Sequence, residues 1–515
     1  MSGDRADHRD TTVLQAALMD GAAVRGREKL ACDVAVVGSG PAGASAARVL
    51  ARAGARVIVF EEGPFARFRD FPSDGFTAMA KFYRDMGASV LMGNAPMPFL
   101  QGRAVGGGSV INGAISWRLP RDVYDEWVLN DPAIGDAIPW DEIDAATDEI
   151  EKDLNVLPTD DAVAGPNNLL MAKGAEALGL EHRRISRYTR GCRGLGRCLQ
   201  GCPEGNRLSM DLTYLADACA HGARVLSSVE VGGILVRDGR AAGIVGRASG
   251  GGTVTCEAGR AVVLAASAVQ TPVLLMKNGL RHGPVGLGFQ GHPGTSMIGW
   301  FGDPVRVWTG ATQGHEVTGM RKEGLKFEAL GYDIAVAAAR LKSAGRAFAE
   351  EIRALDHWAA WGACVRAKGR GRVGAGFGRA SVRFSLLPED VFRLRRGVRV
   401  LGEMMLAAGA EFVTPGVHGW HDKVAQRAVM ARFEEEGPLD PRAYTMVLTH
   451  MFGTCRMGAD PSKGVVRPDF RHHAVDGLYV ADSSVFPTNT GVNPQTSIMA
   501  LATICGRRIA AGTGQ

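Results

Sequence analysis

The chain has little net charge. Its 59 Lys and Arg stand against 54 Asp and Glu, which leaves +5 over 515 residues. So slight an excess gives no reason to expect nucleic acid or an anionic membrane as a partner. The basic stretch 366–379 lacks interleaved aromatic side chains and reads as a solvated face. No uninterrupted apolar run reaches the ~18 residues of a membrane span, so no membrane partner is expected. The opening MSGDRADHRDTTVLQ carries both charge signs and no apolar h-region, so no secretory leader is expected. These absences predict a cytoplasmic protein whose nine cysteines are mostly thiols. No repeat or low-complexity tract is visible. Hydrophobic residues make up 46% and charged residues 22%, an ordinary globular balance. The length exceeds what one core organises, so two or more lobes are expected.

The most informative stretch is 33–63, DVAVVGSGPAGASAARVLARAGARVIVFEEG. Asp33–Val37 is a short apolar strand, followed by Gly38, Gly40 and Gly43 at GxGxxG spacing. An Ala-rich helix follows, then a second buried strand, Arg56–Phe60, with Glu61 at its end. Strand, glycine turn, helix, strand and acid in that order form a complete dinucleotide-binding unit. Gly38 makes the tight turn, Gly40 lets backbone approach a pyrophosphate, and Gly43 lets the helix pack close to the strand. The diphosphate would sit on free N–H groups at the positive end of the helix. Glu61 is placed to bind both ribose hydroxyls, and its carboxylate disfavours a 2′-phosphate.

Elsewhere the pattern predicts elements rather than chemistry. A surface helix is expected around Val13–Val24, a connecting segment from Phe65 to Leu100, and helices over Trp140–Leu154, Asn168–Leu178 and Met210–His221. A strand is expected at Ala223–Val231, a two-stranded element with a Gly-rich turn over 232–257, and a buried strand, turn and helix over 259–280. That helix is expected to begin at Thr271-Pro272. Alternation at Ser381–Leu386 suggests antiparallel strands, Pro388–Ala408 reads as helix, and Gly477–Ala481 as a buried strand. A glycine-rich loop, QGRAVGGGSVINGAISWR, lies at 101–118, and a cysteine loop, GCRGLGRCLQGCPEGNR, at 191–207.

Four motifs in this order resemble the glucose–methanol–choline (GMC) oxidoreductases. They are the Gly38 fingerprint with Glu61, GRAVGGGSVIN at 102–112, the strand–turn–helix at 259–280, and the pair HMFGTCRMG (450–458) and VADSSVFPTNTGVNPQTSIMALA (480–502). The resemblance spans nearly the whole chain. It implies an α/β fold (α+β overall), with a Rossmann-type lobe that binds FAD and a second lobe on an antiparallel sheet. The expected division is an extension at 1–30, an FAD-binding domain from 31–119, 207–295 and 443–515, and a substrate-binding domain from 120–206 and 296–442.

The implied reaction is oxidation of an alcohol with hydride transfer to flavin N5, the electrons passing on to oxygen or another acceptor. A neutral His is the natural proton acceptor near pH 7. His450 matches the family's catalytic histidine, and Asn493 matches the second residue at the flavin face. The Asn493 amide can hydrogen-bond a developing alkoxide, and Asn493 also reads as the N-cap of the last helix, whose positive end would favour negative charge on the flavin. The resemblance places Gly107, Gly108, Ser109 and Asn112 along the flavin, Val231 at the adenine, and Asp482 near the ribityl and phosphate groups. Arg103, Pro494 and Thr496 join them as expected cofactor contacts. Some members tether FAD through a histidine before the motif's asparagine. Ile111 stands there, so non-covalent FAD is expected.

Related dehydrogenases carry an iron–sulfur cluster in a loop like 191–207. Here Arg193 and Leu195 stand where relatives offer thiolates beside Cys192, Cys198 and Cys202, so no metal is expected. No nearby histidine completes a zinc set. His292, in GFQGHPG, reads as a structural turn residue. Two other functions are consistent with the motifs: a lyase that holds FAD without reducing it, or a dehydrogenase of a sugar, sterol or simple alcohol with an electron-transfer partner. The cysteine loop most resembles that of GMC enzymes that oxidise a primary alcohol of a sugar in aminoglycoside biosynthesis, which suggests an amino-sugar substrate.

Overall fold

The computed structural model describes residues 9–338, 343–376 and 379–512. The first sheet is organised by Arg27–Val37, whose apolar end is buried on both faces. It pairs in parallel with Val57–Phe60 and with Thr253–Leu264. The strand order is Leu18–Asp20, Arg224–Ser227, Val57–Phe60, Arg27–Val37, Thr253–Leu264, Arg240–Ala248 and Val229–Arg237. Leu478–Val480 joins beside the end of Thr253–Leu264. Helix Pro41–Arg52 packs against the C-terminal helix Gln495–Ala511. The Ala-rich sequence allows this, since small side chains let two helices and a sheet close together.

Several sequence expectations shift here. The surface helix is only Thr12–Ala16, and the chain then adds the strand Leu18–Asp20 to the sheet edge. Gly21 permits that approach, since a Cβ there would lie 2.5 Å from the Ser228 carbonyl oxygen. The strand expected over Ala223–Val231 breaks at Ser228, which has φ 56. The element over 232–257 is a three-stranded meander, and its last strand runs on without a break into the buried strand expected at 259. The helix expected from Met210 starts at Tyr214. The helix expected to begin at Thr271-Pro272 is Ser267–Lys277, with Pro272 inside it. Pro272 has no N–H for the Ala268 carbonyl. The Thr454 hydroxyl donates to that carbonyl instead, at 2.6 Å.

The second sheet is antiparallel and centred on the long strand Leu287–Trp300, which pairs with Trp358–Val365, Gly371–Gly376, Phe412–Thr414 and Met446–Phe452. Leu325–Ala329 and His315–Val317 extend it on one side. Helix Pro388–Ala408 covers this sheet over the bounds the sequence gives. Arg379–Arg383 is the strand suggested at Ser381–Leu386. Trp140–Asp153 and Pro166–Ala177 lie within two residues of the expected helix bounds. The segment from Phe65 to Leu100 carries a helix, Gly75–Phe82, and a short strand pair.

Two large hydrophobic clusters result, one on each sheet. Helices Arg121–Asn130 and Trp140–Asp153, which the sequence assigns to the second lobe, bury Trp127, Ile143 and Ile150 in the first cluster. Among the described residues, no helix is long and apolar enough to cross a membrane.

Candidate active site

One cavity of about 1500 Å³ takes its walls from both sheets. The first wall is largely backbone. Gly38 has φ +104, and a Cβ there would lie 2.3 Å from the Ala265 oxygen. A Cβ on Gly43 would lie 1.8 Å from the Gly38 oxygen, so this glycine lets the helix close on the loop itself, more than on the strand. Gly40 and Gly108 differ. A Cβ on Gly40 would meet only the Gly107 Cα, at 3.7 Å, and one on Gly108 would meet nothing within 4 Å. Both line the cavity, so the missing side chains are cavity space. Helix Pro41–Arg52 starts here with no side-chain cap, which leaves its first N–H groups for a ligand. The cradle suits the diphosphate of a dinucleotide.

Glu61 lines this wall and is buried. It accepts from Ser39 N at 3.1 Å, Ser39 Oγ at 2.6 Å and Gly63 N at 2.8 Å. Burial still raises its pKa. Ser39 went unremarked in the sequence, although it is the x of the GxG turn. Asp482 is built in the same way. It accepts from Ser267 N at 2.9 Å, Thr271 Oγ1 at 2.5 Å and Ser484 N at 2.9 Å, and burial again raises its pKa. Val231 lines the wall, as do Gly107, Ser109, Asn112 and Pro494. The Ser109 hydroxyl is used within the protein: it donates to Gly106 O at 2.6 Å and accepts from Met210 N at 3.0 Å. Asn112 Nδ2 donates to Gln495 Oε1 at 2.6 Å and ties the glycine loop to the last helix.

Three expected contacts lie elsewhere. Gly43 serves the packing just described and is not on the cavity wall. Arg103 turns to Glu62, at 2.9 Å, a carboxylate it shares with Arg84. Thr496 is fully buried behind the wall, and its hydroxyl bonds to Ser116 and Tyr188.

The other wall carries side chains. His450 is on the strand Met446–Phe452 and His292 on its antiparallel neighbour Leu287–Trp300. Their Nδ1 atoms are 3.2 Å apart. His292 Nε2 lies 3.2 Å from Asn489 Oδ1 and 2.9 Å from the Gly491 N–H. His292 is therefore a direct partner of His450 rather than a simple turn residue. With Nδ1 engaged by His292, Nε2 is the His450 nitrogen left for a ligand. Burial, and then the Lys326 charge, push the His450 pKa down to about 3. Burial and the neighbouring His450 hold His292 well below the ordinary histidine range. Both rings are neutral at pH 7.

Asn493 precedes the last helix but does not cap it. The helix is Gln495–Ala511, with Pro494 at the cap position and no side-chain cap bond. The Asn493 Oδ1 instead accepts from Lys326 Nζ at 2.5 Å. Lys326 also meets Glu316 at 2.8 Å and bonds to Glu328. No sequence motif marked these three residues.

The cysteine loop lies behind the glycine loop. Arg187, 1% exposed, points Nη2 at Cys198 Sγ, 3.2 Å away, and Nη1 at Cys192 Sγ, 3.6 Å away. Although burial opposes it, Arg187 and then Arg207 pull the Cys198 thiol below its ordinary pKa. Arg207 Nη1 donates to Asn112 O at 2.6 Å and to Cys198 O at 2.7 Å, which links the two loops.

Comparison with known proteins places this geometry. Residues 46–294 match the N-terminal part of the GMC oxidoreductase family and residues 370–502 its C-terminal part. An uncharacterized GMC-type oxidoreductase of Mycobacterium tuberculosis is 35% identical over 91% of this chain and 74% of its own length. A long-chain-alcohol oxidase of Arabidopsis thaliana is 28% identical over 93% of this chain and 69% of its own. Among solved structures, a variant of Aspergillus oryzae formate oxidase superposes with a TM-score of 0.72 at 16% identity, over 94% of this chain and 98% of that one.

Proposed function

Because the chain belongs to the GMC oxidoreductase family and is an FAD-dependent alcohol oxidoreductase, we propose that His450 and Asn493 are its catalytic pair and that its substrate is an alcohol with an apolar body. The observation that carries this reading is the shared cavity. Gly40, Glu61, Gly108, Val231 and Asp482 line the same space as His450 and Asn493, although they come from well-separated segments of the chain.

When bound, FAD supplies the two-electron acceptor for hydride from the carbinol carbon. Gly38, Gly40, Glu61, Gly107, Gly108, Asn112, Val231 and Asp482 would hold it along the backbone-built wall. His450 takes the hydroxyl proton at Nε2. Its neutral form is secured by burial, and the base-competent tautomer places a proton on Nδ1, facing His292. On its far side His292 Nε2 meets the Gly491 N–H, which donates to it, and Asn489 Oδ1, and these two hold the ring against His450. Asn493 donates from Nδ2 to the alcohol oxygen as negative charge develops there. Ile111 lines the cavity and offers no nucleophile, so the cofactor is held without a covalent bond.

The rest of the cavity lining supports the apolar body. Trp300, Leu330, Tyr332, Trp358 and Trp420 line it. An ammonium-bearing amino sugar, the second reading, needs free carboxylates. Glu328 lines the cavity but is taken by Lys326 and, at 2.6 Å, by Gln313, so such a substrate would have to use Asp333, Glu351 and Asp422, the other carboxylates beside that aromatic lining. Anaerobic mixing with aliphatic, aryl and sterol alcohols, free hexoses and amino-sugar pseudodisaccharides tests both readings through loss of the oxidised flavin band. Bleaching by the apolar alcohols is expected. Bleaching by the amino sugars alone would replace the apolar reading, and no bleaching by any alcohol would favour the lyase.

A further inference from the structure

Lys326 stands on the strand Leu325–Ala329 and is 2% exposed. Glu316 and Glu328 face each other across the pairing of His315–Val317 with Leu325–Ala329. Two carboxylates opposite each other on one sheet face repel. Lys326 is two residues from Glu328, so it shares that face and sits between them. Its ammonium has three donors and no acceptor. One goes to Glu316 Oε2 at 2.8 Å, one to Glu328 Oε1, and one to Asn493 Oδ1 at 2.5 Å. Arg183 pairs with the other Glu316 oxygen at 2.7 Å. Two cations and two anions therefore balance, as buried charge requires.

A buried ion pair that only stabilised the fold would have no reason to spend a donor on an amide in the cavity wall. We propose that Lys326 is a positioning residue: it holds the Asn493 carbonyl oxygen, and so turns the amide Nδ2 toward the reacting oxygen. This rests on the catalytic role proposed for Asn493. An ammonium donates and cannot accept, so the contact decides which end of the amide is which. It also polarises the amide and strengthens Nδ2 as a donor. Asn493 is then a donor to substrate and not an acceptor from it. The Lys326 charge next to His450 acts in the same sense, since it disfavours a proton on that ring.

Two experiments on the FAD-loaded enzyme test this. Lys326→Met alone would strand two buried carboxylates, so it is combined with Glu328→Gln, which leaves Glu316 with Arg183. In a crystal structure of this double variant the Asn493 amide is expected to leave its position. An unmoved amide would overturn the proposal. In anaerobic flavin reduction the double variant is expected to lose at least about tenfold in the parent, and less than about twofold when Asn493 is already Ala. Equal losses in both backgrounds would also overturn it.

Asn493→Asp guards against a variant that fails to fold. Its carboxylate keeps the Lys326 contact but adds a third buried anion to two cations, so a modest loss of melting temperature is expected with flavin retained, while flavin reduction falls at least about tenfold. A parental rate would mean that the cavity uses an acceptor there. If Asn493→Ala itself reduces at the parental rate, the catalytic reading of Asn493 fails, and the crystal structure still decides the orientation.

Discussion

The two walls of the cavity are made of different material. The cofactor wall presents backbone and missing side chains, and its two carboxylates are each held by three donors within the wall. The opposite wall presents ring nitrogens and an amide, the rings paired across two strands and the amide held from behind by a buried ammonium. A wall that meets the same group in every turnover can be built by close approach alone. A wall where a proton moves and charge develops needs groups that respond to charge, kept dry and kept in register. The first is limited by sterics and the second by electrostatics, and substitutions should separate the two.

The largest effect is expected where sterics rule. Gly43→Val places branched carbon where a single Cβ already lies 1.8 Å from the Gly38 oxygen. It should cost about 3 kcal/mol or more and leave the protein colourless. Gly108→Ala is the control on the wall itself, because its Cβ meets no atom within 4 Å. Its melting temperature without flavin should equal the parent's while flavin affinity falls. If Gly43→Val purifies yellow with a parental melting temperature, the wall is not limited by close approach.

On the other wall, His450→Ala should keep fold and flavin and lose about 10²- to 10⁴-fold in anaerobic flavin reduction, the range general base catalysis supplies. His292→Phe should lose less, since it removes the orientation of the base and leaves the base itself. Stopped-flow reduction by any alcohol found to bleach the flavin measures both. A variant without His450 that reduces at the parental rate would remove this wall's chemistry altogether.

The same contrast governs how much could be read from sequence. Close approach demands glycine, and glycine spacing is visible: Gly38 stands where a Cβ would collide with backbone, and Gly40 and Gly108 stand where a Cβ would take up cavity space. The strand and helix bounds around them follow from apolar runs. The electrostatic wall leaves a fainter trace. His450 and Asn493 are legible only through their surrounding motifs, and His292 reads as a turn residue because its partner lies 158 positions away. Glu316, Lys326 and Glu328 lie in a stretch that carries no motif. Only the register of Glu316 against Glu328 shows that the lysine must sit between them. Pro272 misled for a related reason, since the hydroxyl that replaces its missing N–H comes from Thr454, far along the chain. Local rules locate steric needs, whereas charge compensation is a property of the assembled sheet.

A second loop offers a smaller test of the electrostatic argument. Arg187 is buried against Cys198 and Cys192 and draws the Cys198 thiol below its ordinary pKa. Alkylation of Cys198 by iodoacetamide at pH 7, followed by peptide mass analysis, should therefore outpace that of Cys202, for which accessibility is of the same class. Arg187→Met should slow it. Equal rates in parent and variant would show that the guanidinium does not sustain a thiolate.

The remaining effect is on the pH dependence of stability, and the two walls should give it opposite signs. His450 is held at about 3, and His292 also lies well below its ordinary value. In the unfolded chain both take up a proton below about pH 6.5, while the folded chain does not. The unfolded state then binds more protons, so stability is lost as pH falls from about 6.5, by at most ~1.4 kcal/mol per pH unit for each ring. Glu61 and Asp482 are shifted upward by burial. Across the interval between their unfolded and folded pKa values the folded state binds more protons, so their contribution is lost as pH rises through the folded pKa. Urea midpoints of the flavin-free protein between pH 4.5 and 7.5 separate the two. His450→Gln should flatten the acid side, because glutamine keeps a polar group on the strand and takes up no proton. Asp482→Asn removes a group of the opposite sign and should make the parent's decline toward acid steeper. If both substitutions change the slope in the same direction, the two walls do not differ in the way their buried groups hold protons.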